Sequence, residues 1–259
     1  ATLLIAIVIV FNPLLLPLTV SYPTQGFISR IDAVPEGSTV MFVMGIGQLS
    51  FYNNYRTGIA QVLDYLYSKH LKIIFFPRVE EDIVSLEDVF AYLSPKKYGY
   101  IYGKDYVILN IVPGGEIGLA AIAENLMFNP LDAYKSALAD MPVMKGMRKL
   151  TDFPMLVIAY IGFDTGPQYI RQWAYKFKVP IITVAQWGIL AEYYGTYIFG
   201  NLDWIQGLAE FQYATRRPAE EIINLDARNV LIFFIFGGII LGSIARWQES
   251  RLGKRGVPT

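Results

Sequence analysis

The chain has 259 residues, of which 54% are hydrophobic and 17% are charged, whereas soluble domains carry about 25% charged residues. Basic and acidic side chains balance at 22 each, so net charge gives no reason to expect a nucleic-acid partner. There is no cysteine and one histidine, His70. This composition excludes disulfides, thiolate nucleophiles and metal sites built on Cys or on several His. We therefore expect no metal and no cofactor, and we expect membrane segments to account for the apolar excess.

The first predicted element is a transmembrane helix over residues 1–21. Residues 3–20 carry no charge, and a helix of this length would span about 27 Å, close to the hydrocarbon thickness of a bilayer. Pro13 and Pro17 interrupt the stretch, which membrane helices tolerate. A cleaved signal peptide is the alternative. However, no charged segment precedes the stretch, and Ser21-Tyr22-Pro23 is unlike a small-residue cleavage site.

Residues 22–228 are predicted to form one α/β domain. Short apolar runs closed by glycine or proline, such as residues 39–44, are typical of buried parallel strands. Ser85, as N-cap, and Asp88, in the capping-box position, predict a helix start. Alternating strands and helices indicate a doubly wound, mostly parallel sheet of the Rossmann or flavodoxin type. The predicted strands are residues 39–44, 72–76, 106–112, 154–160 and 179–184, and the predicted helices are residues 53–69, a helix from 85, 116–126, 167–177 and 202–213.

One long connection, residues 128–152, interrupts this alternation. It is predicted to contain a short amphipathic helix and a methionine-rich segment with Met141, Met144 and Met147. Connections of this length are often lids or interaction surfaces.

Several predicted strands end in glycine-rich or polar residues. In a parallel sheet these ends share one edge, and ligands bind there at the point where the strand order reverses. Glycine lets the backbone turn sharply and approach a ligand closely. The glycine-rich motif that is typical of dinucleotide-binding proteins is only partly present, and no P-loop sequence is present. The candidate ligand-binding residues are Gly45, Gly47, Gly114, Gly115, Glu116, Asp164 and Thr165.

Glu116 is predicted to lie at a helix start, where the helix dipole favours a carboxylate. The same carboxylate would repel a phosphate, so Glu116 is either a cap or a ligand for cations, hydroxyls or amines. Asp164 and Glu116 could support acid–base chemistry only if their surroundings gave the two carboxyl groups different pKa values. No serine at a helix start has a lysine or histidine suitably placed as its base. The sequence therefore provides no catalytic residues and favours a protein that is not an enzyme.

Aromatic residues cluster after the last predicted strand, at Trp187, Tyr193, Tyr194, Tyr197 and Trp204. Tyrosine and tryptophan are common anchors of protein contacts and of membrane–water interfaces. We predict an interface here, with core packing as the alternative.

The second predicted transmembrane helix covers residues 229–246, with Arg228 before it and Arg246 at its end. Gly238 and Gly242 put small residues on one face, where another helix could pack closely. The tail, residues 247–259, is basic. The positive-inside rule then predicts a cytoplasmic tail and an extracytoplasmic α/β domain.

The chain resembles a family of uncharacterised prokaryotic membrane proteins. The resemblance rests on Gly45–Gly47, Pro113–Glu116, Met141–Met144, Asp152-Phe153 and Gly207–Phe211, and it extends over residues 36–245. This sequence departs from the family pattern at Phe211 and in its sparse glycines after Gly200. The resemblance implies a Rossmann-like domain between two membrane spans, and it implies no activity or catalytic residue.

From these observations we predict a membrane-anchored structural or assembly protein. Its expected partners are the lipid bilayer and either further copies of itself or another membrane protein. The alternative is a module that binds a small polar ligand at the carboxyl edge of the sheet.

Overall fold

The structure is a computed structural model that describes residues 16–45, 49–161, 165–185, 198–203, 206–217 and 220–253. The chain divides into two compact units. One comprises residues 19–217, and the other combines residues 1–18 with residues 218–259.

The larger unit is built on a six-stranded sheet in which every neighbouring pair is parallel. Its order is β3-β2-β1-β4-β5-β6, which confirms the predicted doubly wound α/β fold. Because parallel strands are buried on both faces, they are continuous apolar runs, and β1 and β2 are almost entirely buried. The strands are β1 (Thr39–Met44), β2 (Lys72–Pro77), β3 (Tyr106–Ile108), β4 (Leu156–Ile161), β5 (Ile181–Ala185) and β6 (Ile198–Asp203).

Helices cover both faces of this sheet. The first described helix is α1 (Tyr22–Asp32), and the other described helices of the larger unit are α2 (Leu49–Ser68), α3 (Glu80–Tyr92), α4 (Glu116–Glu124), α5 (Gly166–Tyr169), α6 (Tyr175–Phe177) and α7 (Gln206–Thr215). A π-helical segment, Ile170–Ala174, joins α5 to α6. Side chains from α1, α2, α3 and α7 form the core on one face, and side chains from α4 and α5 form the core on the other.

Two elements of the larger unit were not predicted. Strand β6 contains Gly200 and Asn201, which have low strand propensity. Helix α1 contains Pro23 and Gly26, which have low helix propensity. Both form because they pack together, with a glycine from each at the contact: a Cβ on Gly26 would lie 2.3 Å from the Phe199 carbonyl oxygen.

The predicted start of α3 at Ser85 is wrong. The helix begins at Glu80, and Ser85 is a buried residue inside it. Asp82 provides the capping carboxylate: its Oδ2 accepts the backbone N–H of Arg78 at 2.8 Å and of Val79 at 3.3 Å. Three acidic residues in the first turn also favour this earlier start through the helix dipole.

The prediction of a short amphipathic helix in residues 128–152 is also wrong. The described backbone there forms three 3₁₀ turns, Leu138–Asp140, Pro142–Met144 and Leu150–Asp152. Met144 and Met147 are buried, and Met141 packs against the same core. These methionines therefore pack as core side chains.

In its described residues, the smaller unit contains one long helix, α8 (Glu220–Gly253). Its segment Leu225–Gln248 has a mean hydropathy of 2.1 and is long and apolar enough to cross a membrane, and none of its most apolar stretch is buried. This segment includes the predicted second span. Most of the first predicted span, residues 1–15, lies outside the described residues, and residues 16–21 are not helical.

Candidate functional site at the carboxyl edge of the sheet

The strand order reverses between β1 and β4, which lie side by side at the centre of the sheet. In open α/β sheets this switch point is where ligands bind, at the carboxyl ends of the strands. Gly45 directly follows β1, Thr165 directly precedes α5, and the Pro113–Glu116 turn precedes α4. The sheet thus brings these predicted residues to one edge. Two other predicted ligand-binding residues, Gly47 and Asp164, lie outside the described residues.

Glu116 begins α4, and its carboxylate is bound by two side chains of the π-helical segment. Arg171 donates from Nε to Oε1 at 2.9 Å and from Nη2 to Oε2 at 2.8 Å, and Gln172 donates from Nε2 to Oε1 at 2.9 Å. Two hydrogen bonds, the larger contribution coming from Arg171 and the smaller from Gln172, lower the pKa of Glu116 to about 2. Glu116 therefore joins α4 to the π-helical segment, and a ligand at this carboxylate would compete with Arg171.

The two glycines before Glu116 form a tight turn. Gly114 and Gly115 have φ values of 100° and 56°, a region that glycine adopts readily. Gly118, which sequence reasoning missed, is required by the same turn, because a Cβ there would lie 2.7 Å from the Val112 carbonyl oxygen. The sequence indicates such a requirement only by a glycine inside an alanine-rich helix.

Arg78 is a second residue that sequence reasoning missed. It directly follows β2, and its Nη1 donates a hydrogen bond of 3.0 Å to the Tyr169 hydroxyl. The guanidinium carbon lies 5.3 Å from the centroid of the Tyr169 ring. Because Tyr169 is the last residue of α5, the helix after β4, this contact links the end of β2 to the helix that follows β4. These two residues are 91 positions apart, so no local pattern could have indicated their contact.

Tyr169 is a rigid anchor for Arg78. Its side chain is buried, with its ring 5.0 Å from the ring of Trp173, and burial raises the pKa of its hydroxyl. Trp173 in turn donates from Nε1 to the Leu119 carbonyl oxygen at 2.8 Å. The hydroxyl stays protonated at neutral pH and accepts from Arg78 in a fixed position.

The remaining predicted site residues fall into two groups. The aromatic residues Trp187, Tyr193, Tyr194, Tyr197 and Trp204 lie outside the residues whose side chains are described. Gly238 and Gly242 lie on α8, and no atom is within 4 Å of a Cβ placed at either position. Within the described ranges, no group of three or more His, Cys, Asp or Glu residues is arranged to hold a metal ion.

No protein-family model matches the chain, and no curated protein matches it. A solved structure, the crystal structure of AibC, is similar at 12% sequence identity with a TM-score of 0.32. The match covers 84% of this chain and 48% of that chain, so this chain spans about half the length of the AibC chain. Similarity at this level gives no basis for transferring an activity.

Proposed function

We propose that the protein is a membrane-anchored assembly protein whose α/β domain packs in a homo- or hetero-oligomeric membrane complex. The observation that carries this proposal is the exposed apolar surface of α8. A continuous surface of this kind requires lipid or another protein around it. The exposed side chains on α8 include Leu231, Phe233, Ile235, Phe236, Ile239, Ile240, Leu241 and Trp247.

Small residues on α8 support contact with another helix. Gly238 and Gly242 are four positions apart, so they lie on the same face, and the space beside both is open. In lipid, where apolar surface gives no drive for helices to associate, such faces allow close backbone packing. We propose that this face contacts a second copy of the chain or a partner helix.

The proposed orientation follows the basic residues at the end of α8. Arg246 and the basic tail would be cytoplasmic, and the α/β domain would be extracytoplasmic. The proposed environment is thus the cell membrane, with lipid on the apolar surface of α8.

The particle mass of the chain extracted from its own membrane in mild detergent tests this proposal. We expect light scattering to give a mass above that of one 29.2 kDa chain after correction for detergent. Gly238→Ile and Gly242→Ile should reduce that mass by blocking close packing. Ile240→Phe is the matched control, since Ile240 is about 200° around the helix from Gly238. A single-chain mass for the wild-type protein would contradict the proposal.

A second candidate function is binding of a small polar ligand at the carboxyl edge of the sheet. It is supported by the Rossmann-type strand order and by two positions in the chain: Gly45 directly follows β1, and Thr165 directly precedes α5. A thermal-shift screen of polar metabolites tests it. We expect a stabilising compound whose effect is lost in Glu116→Ala and kept in Glu124→Ala, which alters another paired carboxylate of α4. A screen in which no compound raises the melting temperature would contradict this function.

A further inference from the structure

We infer that Arg78 binds an oxyanion, the phosphate or carboxylate group of a small ligand, at the switch point of the sheet. This inference rests on the second proposed function, the ligand-binding sheet edge, and identifies both the chemistry of the ligand and the residue that recognises it. It does not depend on the oligomeric assembly.

The position of Arg78 supports this inference. Arg78 follows β2 directly, and its hydrogen bond to Tyr169 links the end of β2 to α5, the helix that follows β4. The strand between β2 and β4 is β1, and Gly45 directly follows it with no side chain to block an approaching ligand. The half-buried guanidinium therefore lies at the edge where open α/β sheets bind their ligands.

The charge at this edge also supports the inference. Among the described residues, two acidic groups at the edge are already engaged. Glu116 forms a two-point ion pair with Arg171, so its charge no longer opposes an anion as the sequence alone suggested. Asp82 is fully buried, and its Oδ2 accepts the two backbone N–H groups that begin α3. In the described part of the chain, no carboxylate oxygen lies within 4 Å of the Arg78 guanidinium.

The Arg78 side chain also has hydrogen-bonding capacity for a ligand. A guanidinium carries five N–H donors in a planar fork that matches the oxygens of phosphate and carboxylate groups. Among the described residues, the Arg78 side chain donates to Tyr169 alone. Because the buried hydroxyl of Tyr169 fixes the fork, binding a ligand there would require little further ordering of the side chain.

Thermal-shift titration of the full chain in detergent tests this inference. Three probes are used at constant ionic strength: pyrophosphate, succinate and the uncharged nucleoside adenosine. We expect pyrophosphate or succinate to raise the melting temperature in a saturable manner. In Arg78→Gln the half-saturating concentration should rise about tenfold or more, because a charged two-point hydrogen bond is lost. Arg30→Gln is the control: it removes an arginine of α1 whose guanidinium lies over the Phe199 ring, and it should change the half-saturating concentration by less than about threefold.

Two further variants keep the test decisive if Arg78→Gln does not fold. Arg78→Lys retains the charge without the planar fork, and Tyr169→Phe removes only the hydroxyl that orients the guanidinium. Both should weaken anion binding several-fold relative to Arg30→Gln. Equal half-saturation in the wild-type protein and in the Arg78 variants would overturn the inference.

The probes also separate this inference from the function on which it rests. Stabilisation by adenosine without stabilisation by either anion would overturn the inference and leave the sheet-edge function intact. A wild-type protein that responds to none of the three probes while another neutral compound stabilises it would likewise overturn the inference alone. If no polar compound of any charge stabilises the protein, both fail.

Discussion

Asp132 illustrates how one buried carboxylate fixes an irregular segment. Its oxygens accept the Tyr102 hydroxyl at 2.6 Å and the backbone N–H groups of Tyr134 and Ser136 at 2.9 and 2.7 Å. Residues 128–152 have no α-helix in the structure, so contacts of this kind replace the regular backbone hydrogen bonds of a helix or strand.

Replacing Asp132 with alanine should therefore destabilise the larger unit. Three donors would lose their partner in a buried site, and we expect a loss of about 3 kcal/mol or more in unfolding free energy. Asp132→Asn, which keeps one acceptor oxygen, should lose less. Denaturant unfolding followed by tryptophan fluorescence measures the change, and Asp140→Ala, at an exposed position of the same segment, is the control. Equal losses in the two alanine variants would contradict this role for Asp132.

Glu116 gives a prediction for pH. Its folded-state pKa of about 2 is below the ordinary value of 4.5. A lowered carboxyl pKa stabilises the fold above the ordinary value, and that contribution disappears as pH falls toward the folded-state value. The difference in melting temperature between wild type and Glu116→Gln should thus be largest above about pH 5 and should close between about pH 4.5 and pH 2. A pH series of thermal melts measures it, and a constant difference across this window would show that the ion pair with Arg171 does not contribute.

At the scale of elements, the contact between α1 and β6 depends on two glycines. A Cβ on Gly200 would lie 2.1 Å from the Phe27 backbone nitrogen and 2.4 Å from its Cα, so the helix could not stay in place. The start of α1 is fixed separately: Glu210 of α7 accepts the Ser21 backbone N–H at 2.9 Å and the Thr24 hydroxyl at 2.8 Å. These contacts explain why a helix of low intrinsic propensity forms.

Gly200→Ala should therefore push α1 away from the sheet. We expect a loss of about 1–3 kcal/mol in unfolding free energy, the usual cost of overpacking a close contact. Ser29→Ala, on the exposed side of α1, should change stability by less than about 0.5 kcal/mol. Hydrogen exchange of the α1 amides gives a second measurement, since displacement should increase their exchange in Gly200→Ala only. Unchanged exchange in that variant would mean that the helix can accommodate the methyl group.

At the scale of the whole molecule, the proposed membrane anchoring rests on α8. Its apolar segment Leu225–Gln248 has exposed large side chains along its length. We expect the expressed chain to stay in the membrane pellet through washes with high salt and alkaline carbonate and to be released by detergent. Phe236→Lys should weaken insertion, because a lysine near the centre of a membrane helix costs about 2.5–3.5 kcal/mol. Phe236→Leu is the control, and recovery of the wild-type chain in the carbonate wash would contradict membrane insertion.

Much of the fold could be predicted because it rests on local patterns. Apolar runs such as Thr39–Met44 specify parallel strands, since a strand buried on both faces has no polar alternation. Their alternation with helical stretches specifies the doubly wound class, and the parallel sheet then fixes which residues share its carboxyl edge. The apolar content of α8 is equally local, since it follows from composition over one window.

By itself, then, the sequence determined the class of fold, the edge of the sheet where a site would lie and the membrane-compatible helix. Tertiary structure alone decided the pairing of Glu116 with Arg171, the contact of Arg78 with Tyr169, and the packing of α1 on β6. Each of these joins residues distant in the chain, and their energies come from packing and hydrogen bonding between elements. A local pattern reports only which face of an element is buried, and it contains no information about the side chain that will meet that face.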